Sequence, residues 1–366
     1  MRPRIFVLLL LTLGWLLVGW GAPGVIEDDQ PTEPITAWHS KQLKQARPLL
    51  QAKAAIVVDD ASGRVLFESH SHQRLPPASL TKIMTAIVAV DSGRLDEVVD
   101  VDVNAWKLQA ETDSSVMGIT PGERLTIRDL LYGLMMVSGN DAAIAIAKHL
   151  AGSEEKFVEL MNAKVRELGL KDTQFRNSHG LHHPEHFTTA YDLAALTRHG
   201  MQNPIFADLA NRRNYKAQGV KQVYDLYNIN RFFGRFKGAD GVKTGYTEEA
   251  GRCVVASATQ DGHRVITVVL NSPDYPTEAT WLMEYAFDFF QWQPLDLPPT
   301  AARDPSRSNG LAVRRSTLEP LASWERSWLH SFLWLDGQAS GNERAGTVAF
   351  YAGSRFLREL PVVGKQ

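Results

Sequence analysis

Two β-hairpin patterns stand at opposite ends of a long helical stretch, and this constrains the chain more than any other feature. Ala54–Asp59 and Arg64–Glu68 are short apolar runs separated by Asp60-Ala61-Ser62-Gly63. Arg252–Thr259 and His263–Leu270 form a second pair, split at Asp261-Gly262. Turn residues between two strand-like runs signal a hairpin. The middle is mostly helical. Ile127–Leu150 repeats apolar residues at spacings of three and four, with Thr126 and Asp129 near its start. Thr277–Trp292 does the same through Trp281, Leu282, Tyr285, Phe289 and Phe290. The expected fold class is therefore α+β, with both hairpins in one antiparallel sheet and the middle forming a helical lobe. A cleft between lobe and sheet is where a site is expected.

The 366 residues suggest two or three folded units. Arg2 and Arg4 precede the uncharged run Ile5–Trp20, followed by the small residues Gly21 and Ala22. That is the pattern of a secretory leader, and the run is shorter than the roughly 20 residues a spanning helix needs. Residues 1–22 are expected to be a signal peptide, with an uncleaved signal-anchor as the other reading, and the rest to work outside the cytoplasm. Residues 23–50 read as a lead-in, 51–292 as the main domain and 293–310 as a Pro- and Ser-containing linker. Residues 311–366 read as a small β-rich domain around the runs Gly346–Tyr351 and Arg355–Val363. Its aromatic cluster (Trp324, Trp328, Trp334, Leu329, Phe332, Leu333) is expected to form that domain's core. Association with a membrane surface is the other reading. The one cysteine, Cys253, sits in an apolar run and reads as a buried structural thiol. A net charge of −2 predicts no grip on nucleic acid.

Three motifs carry chemistry. Ser79-Leu80-Thr81-Lys82 opens an apolar periodic run, which puts Ser79 and Lys82 on one helical face about one turn apart. A serine hydroxyl is a weak nucleophile without a base in reach, and a lysine serves if burial or a second cation lowers its pKa. Ser138-Gly139-Asn140 follows in the middle of the helical lobe. On a tight turn its hydroxyl can relay a proton and its amide can hold a substrate amide. Lys243-Thr244-Gly245 just precedes the second hairpin. On a strand lining the cleft, it offers a cation, a hydroxyl and a close backbone approach. Each motif alone is weak. Together, in this order and context, they form the S-x-x-K, Ser-x-Asn and K-T-G set of penicillin-binding proteins and class A β-lactamases.

The chain resembles the low-molecular-mass penicillin-binding proteins, the D-alanyl-D-alanine carboxypeptidases of peptidase family S11, over roughly Lys53–Trp292. The likeness extends to Pro77–Thr85, Gly133–Ala143, Thr189–Asp192 and Asp240–Thr247. The resemblance implies an exported serine peptidase that removes the terminal D-alanine from a peptidoglycan stem peptide through an acyl-enzyme on Ser79. It implies Lys82 as base, Ser138 as proton relay, Asn140, Lys243 and Thr244 as substrate ligands, and the backbone N–H groups of Ser79 and Tyr246 as oxyanion hole. β-Lactams are the expected inhibitors, and neither cofactor nor metal is expected. The C-terminal part resembles the family's β-rich second domain, shortened. No amphipathic anchor helix is expected after it, since the chain ends Pro361–Gln366.

Three rivals remain on the sequence. A β-lactamase needs a Glu-x-x-Leu-Asn element, and the closest match, Glu167-Leu168-Gly169-Leu170-Lys171, ends in Lys. A zinc hydrolase would use His179, His182, His183 and His186, a cluster that otherwise reads as a solvated loop. The third is a binding module that has lost turnover.

Overall fold

The computed structural model describes residues 48–297, 311–313, 316–335 and 344–364. The expected leader and most of the lead-in and linker lie outside the described residues. The first hairpin is β1 (Ala54–Asp59) with β2 (Val65–Ser69), and a 3-10 turn at Ala78–Thr81 runs directly into α1 (Lys82–Asp91). The lobe continues with β3 (Val98–Asp100), α2 (Ala105–Thr112), β4 (Arg124–Thr126) and α3 (Ile127–Met136). It is completed by α4 (Asn140–Ala151), α5 (Glu154–Glu167), α6 (Ala190–Met201) and α7 (Pro204–Asn211). The ribbon β5 (Asn214–Gln218) and β6 (Val223–Tyr227) leads back to the sheet. There β7 (Ala239–Thr247), β8 (Gly251–Gln260) and β9 (His263–Leu270) form its second half.

The expected sharing of one sheet holds. The order is β2-β1-β9-β8-β7, all neighbours antiparallel, with Ala54 opposite Leu270 and Asp59 opposite Val265. Strands β8 and β9 are apolar without alternation because both their faces are covered. Val255, Ile266 and Val268 join the helical-lobe core with Ile83, Leu130 and Ile146. Val254, Ala256, Val265 and Val269 pack instead on α8 (Tyr275–Phe289) through Ala279, Leu282 and Met283.

The helical stretch Ile127–Leu150 is two helices, parted at the Ser138-Gly139-Asn140 turn. Thr126 and Asp129 cap α3 reciprocally, and the chain breaks at Val137–Gly139. Ser138 there adopts φ +61°, which no helix accommodates. The expected helix over Thr277–Trp292 also stops early. After Phe289 the chain turns into β10 (Phe290–Pro294), which pairs with β12. The linker therefore begins later than position 293: Gln293 and Pro294 finish β10, and Leu295 is fully buried.

The C-terminal part contains β11 (Leu311–Val313), β12 (Leu318–Ala322), the short helix α9 (Ser323–Arg326), β13 (Leu329–Leu335), β14 (Arg344–Ala352) and β15 (Arg355–Gly364). Its four-stranded sheet runs β11-β15-β14-β13. The core is Leu295, Ala345, Val348, Phe350, Leu360 and Val362, with Leu329 and Leu333 against it. The expectation that the aromatic cluster forms this core holds for Leu329 and Leu333 but not for Trp328, Phe332 and Trp334, and the Trp324 side chain lies outside the described residues. Side chains alternate along β13, so Leu329 and Leu333 face inward while Phe332 (52% exposed) and Trp334 (52%) face out, beside Trp328 at 66%. The two parts are held by Arg64, whose guanidinium meets buried Glu325 at 2.7 Å, and by Trp292 Nε1 donating to Asp59 at 2.7 Å. Arg355 joins Glu325 at 2.6 Å.

Candidate active site

The first motif lies on the 3-10 turn and the first residue of α1, so Ser79 and Lys82 project together. Ala78 enters that turn at φ +48°, a conformation that costs roughly 1–3 kcal/mol outside glycine and persists only when packing enforces it. Lys82 is fully buried and its Nζ has three oxygen neighbours: Ser79 Oγ at 3.0 Å, Asn140 Oδ1 at 2.6 Å and the His179 carbonyl at 2.7 Å. A neutral amine matches this set. Its two hydrogens satisfy the two carbonyl oxygens, and its lone pair is left for the Ser79 hydroxyl. The electrostatics agree. Burial, then the neighbouring Lys243 cation, holds Lys82 well below the usual lysine range, against a smaller pull from Asp141.

Lys243, on β7, is also sealed from solvent, and burial lowers its pKa to about 7. Its Nζ donates to the Thr244 carbonyl at 2.9 Å. Gly245 brings β7 against the nucleophile turn: a Cβ there would stand 3.0 Å from the Ser79 nitrogen and 3.2 Å from the Leu80 nitrogen. Thr244 and Tyr246 lie on the strand's other face.

The second motif occupies the break between α3 and α4. Gly139 is the N-cap of α4 and Asn140 its first residue, so the Asn140 side chain reaches Lys82 while Ser138 stands beside it in the cleft wall. Asp141 fixes this turn. Its carboxylate accepts backbone N–H bonds from Met117, Gly118 and Ile119 at 2.8, 2.9 and 3.0 Å, and from Ala142 at 2.9 Å. Desolvation nonetheless raises its pKa. Asn140 N donates to Ser115 O at 2.9 Å, which ties the same loop down.

These residues meet at a cavity of about 820 Å³, lined by Ser79, Ser138, Asn140, Thr244 and Tyr246 among others. All six expected side chains therefore converge, but not equally. Ser79, Ser138, Asn140 and Thr244 form its wall, while Lys82 and Lys243 lie behind it.

The segment Asn177–Phe187 departs from expectation. It is not a solvated loop throughout, nor does it gather a metal. His182 and His183 are exposed, whereas His179 and His186 are buried and bonded separately. His186 Nε2 bonds Thr81 Oγ1 at 2.9 Å, and His179 Nδ1 accepts from Leu181 N at 3.1 Å. Burial lowers both imidazoles to about 3, so they are neutral. Among the described residues no three His, Cys, Asp or Glu side chains group as metal donors. The segment instead backs the Ser79 turn. His179 O receives Lys82, Ser178 O receives Thr85 Oγ1 at 2.6 Å, and Gly180 lies flat on the Ala78 carbonyl. Sequence reasoning missed this, since backbone carbonyls leave no residue-type signal; only the requirement for Gly180 was visible in principle. Cys253 is buried as expected, and burial raises its thiol to about 11.

Comparison with known proteins gives one answer. The family model described as D-alanyl-D-alanine carboxypeptidase (peptidase S11) matches residues 41–274. D-alanyl-D-alanine carboxypeptidase DacF of Bacillus subtilis is 36% identical over 252 residues, covering 67% of this chain and 64% of that protein. DacC of Escherichia coli is 38% identical over 268 residues, 70% and 66% of the two chains. This chain thus spans just under two thirds of the length of those relatives. The crystal structure of penicillin binding protein 6B from Escherichia coli superposes with a TM-score of 0.71 at 30% identity, covering 87% of this chain and 96% of the other. With its three motifs gathered around one cavity and these likenesses along most of its length, the chain belongs to the D-alanyl-D-alanine carboxypeptidase family, peptidase S11.

Proposed function

We propose that this chain is an exported serine-type D-Ala-D-Ala carboxypeptidase acting on peptidoglycan stem peptides outside the bacterial cytoplasm. The observation that carries the reading is Lys82 Nζ, sealed from water and 3.0 Å from Ser79 Oγ with a second buried ammonium beside it. Lys82 takes the Ser79 proton, and Oγ attacks the carbonyl carbon of the penultimate D-alanine. The backbone N–H groups of Ser79 and Tyr246 stabilise the developing oxyanion, where losing one donor typically costs about 10²–10³ in rate. The C–N bond breaks, and Ser138 passes the proton to the departing D-alanine amine. Asn140 orients Lys82 and the peptide amide. Thr244 faces the leaving residue's carboxylate, while Lys243 acts from behind by keeping Lys82 neutral. Water then hydrolyses the Ser79 ester with Lys82 as base, which regenerates the hydroxyl. A β-lactam acylates the same oxygen.

The test is intact mass and peptide mapping after penicillin, alongside D-alanine release from a pentapeptide. A stable adduct on Ser79 with D-alanine release is expected, and Ser79→Ala should lose both. Fast release of hydrolysed penicillin would favour the β-lactamase rival, and an adduct without D-alanine release would favour the binding module. Of the described helices, none is long and apolar enough to cross a membrane. The exposed Trp328, Phe332 and Trp334 favour the surface-association reading over the core reading of that cluster.

A further inference from the structure

The wall of the cavity is mostly polar. Of the described residues that line it, only Leu181 and Ile229 carry branched aliphatic side chains. Leu181 belongs to the segment behind the Ser79 turn, where its N–H donates to His179 Nδ1. Ile229 comes from the loop between β6 and the 3-10 turn Arg231–Gly234, and it is 51% exposed. A lone exposed isoleucine on a convex surface means little. One that lines a cavity beside a reacting group marks a contact surface for a ligand.

The main chain fixes where Ile229 stands. Its N–H donates to the Met136 carbonyl at 3.0 Å. Met136 ends α3 two residues before Ser138, so the isoleucine lies on the Ser138 side of the cleft. The asparagines that flank it lock the loop. Asn228 donates through N and Nδ2 to the Arg213 and Arg212 carbonyls at 3.0 and 2.9 Å. Asn230 N donates to Asn228 Oδ1 at 2.9 Å, and buried Asn230 Oδ1 accepts from Phe232 N at 3.1 Å. Ile229 therefore projects from a rigid turn. The cavity of about 820 Å³ has the size that holds a whole small-molecule ligand, far more than one methyl group fills.

We propose that Ile229 is a specificity residue, the apolar wall against which the leaving residue's side chain packs, so that the enzyme accepts terminal D-residues with apolar side chains larger than a methyl. This rests on the peptidase reading above, in which Ser138 stands at the departing amine. That amine and the leaving side chain share one α-carbon, so a group fixed beside Ser138 is placed to meet the side chain. The substrate class is a stem peptide whose last D-alanine is replaced by a longer apolar D-amino acid. A ligation or exchange reaction that tolerates such residues must supply it. Arg231, two residues on, lines the same cavity and would instead favour an acidic leaving side chain.

The test compares the full-length enzyme with I229S and I229L on peptides that share one acyl part and end in D-Ala-Gly, D-Ala-D-Ala, D-Ala-D-Leu or D-Ala-D-Glu. Each methylene moved from water to an apolar wall corresponds to roughly fourfold in kcat/KM, so a partly covered leucine side chain should give D-Leu about tenfold over glycine. I229S is expected to narrow that ratio by about the same factor, mainly through KM, and I229L to keep it. An I229S enzyme with the wild-type ratio, a wild type that rejects D-Leu, or one that favours D-Glu overturns the subsite, while D-alanine release leaves the peptidase reading standing. A wild type that releases no terminal residue from any of the four peptides overturns both.

Discussion

Single groups set the pH behaviour. Lys243 titrates near 7 in the fold against an ordinary value of 10.5, because burial disfavours its charge. The unfolded chain binds that proton first, so stability is full above 10.5 and lost as pH falls toward 7. Lys243→Met should therefore raise the melting temperature, most at and below pH 7 and not at all near pH 11, while abolishing turnover. Thermal scans across that range check the sign. His179 and His186 act similarly at lower pH. Both are neutral down to about 3 against an ordinary 6.5, so each withdraws up to about 1.4 kcal/mol per pH unit as pH falls through that window. Denaturant titrations at pH 7, 5 and 4 should show the decline, and His186→Gln should flatten it. None of this was legible in the sequence, where the four histidines look alike. Their difference lies in which side of the loop meets Thr81 and α5.

Elements explain why the motifs were readable and their supports were not. Chemistry demands a hydroxyl, an amine, an amide and a glycine in fixed order, so Ser79, Lys82, Ser138, Asn140, Lys243 and Gly245 announce themselves by type and spacing. The break between α3 and α4 falls on the tight turn expected at Ser138-Gly139-Asn140, but the φ of Ser138 was not legible in the sequence. The Asn177–Phe187 segment holds the nucleophile turn by main-chain contact. Gly180 sits at φ +96°, and a Cβ there would lie 1.9 Å from the Ala78 carbonyl oxygen. Gly180→Ala should displace Ser79 and cut penicillin acylation by roughly 10²-fold or more, as small misplacements of a reacting group do. Stopped-flow acylation measures it; a wild-type rate would show the contact to be incidental. Asp141→Asn should loosen the 117–119 loop. Each carboxylate oxygen accepts two of the four backbone donors, so the amide leaves two unpaired at about 1–3 kcal/mol each, readable by urea unfolding.

At the scale of the molecule, the attachment of the C-terminal part combines the β10–β12 pairing with a few buried polar contacts. Arg64→Ala removes one of the two guanidinium partners of Glu325, which is 2% exposed and keeps Arg355, and the loss of such a charged hydrogen bond costs about 1.5–3 kcal/mol. Calorimetry should then separate one unfolding transition into two, with penicillin binding surviving the first. The α+β architecture was legible because both hairpins carry their own turn signals. The outward face of β13 was not, because apolar content alone does not say which side of a sheet a residue takes. The antiparallel seam between β1 and β9 has a further effect. It joins Ala54 to Leu270, so β1 has only its hairpin partner β2 beside it until nearly the whole domain has been synthesised. Long-range strand pairing of this kind is slow and comes late. A half-emerged chain already carries Ser79 and Lys82 but lacks the walls that strip water from the amine. On the proposed reading, the base is therefore completed only when the last strand is stitched in.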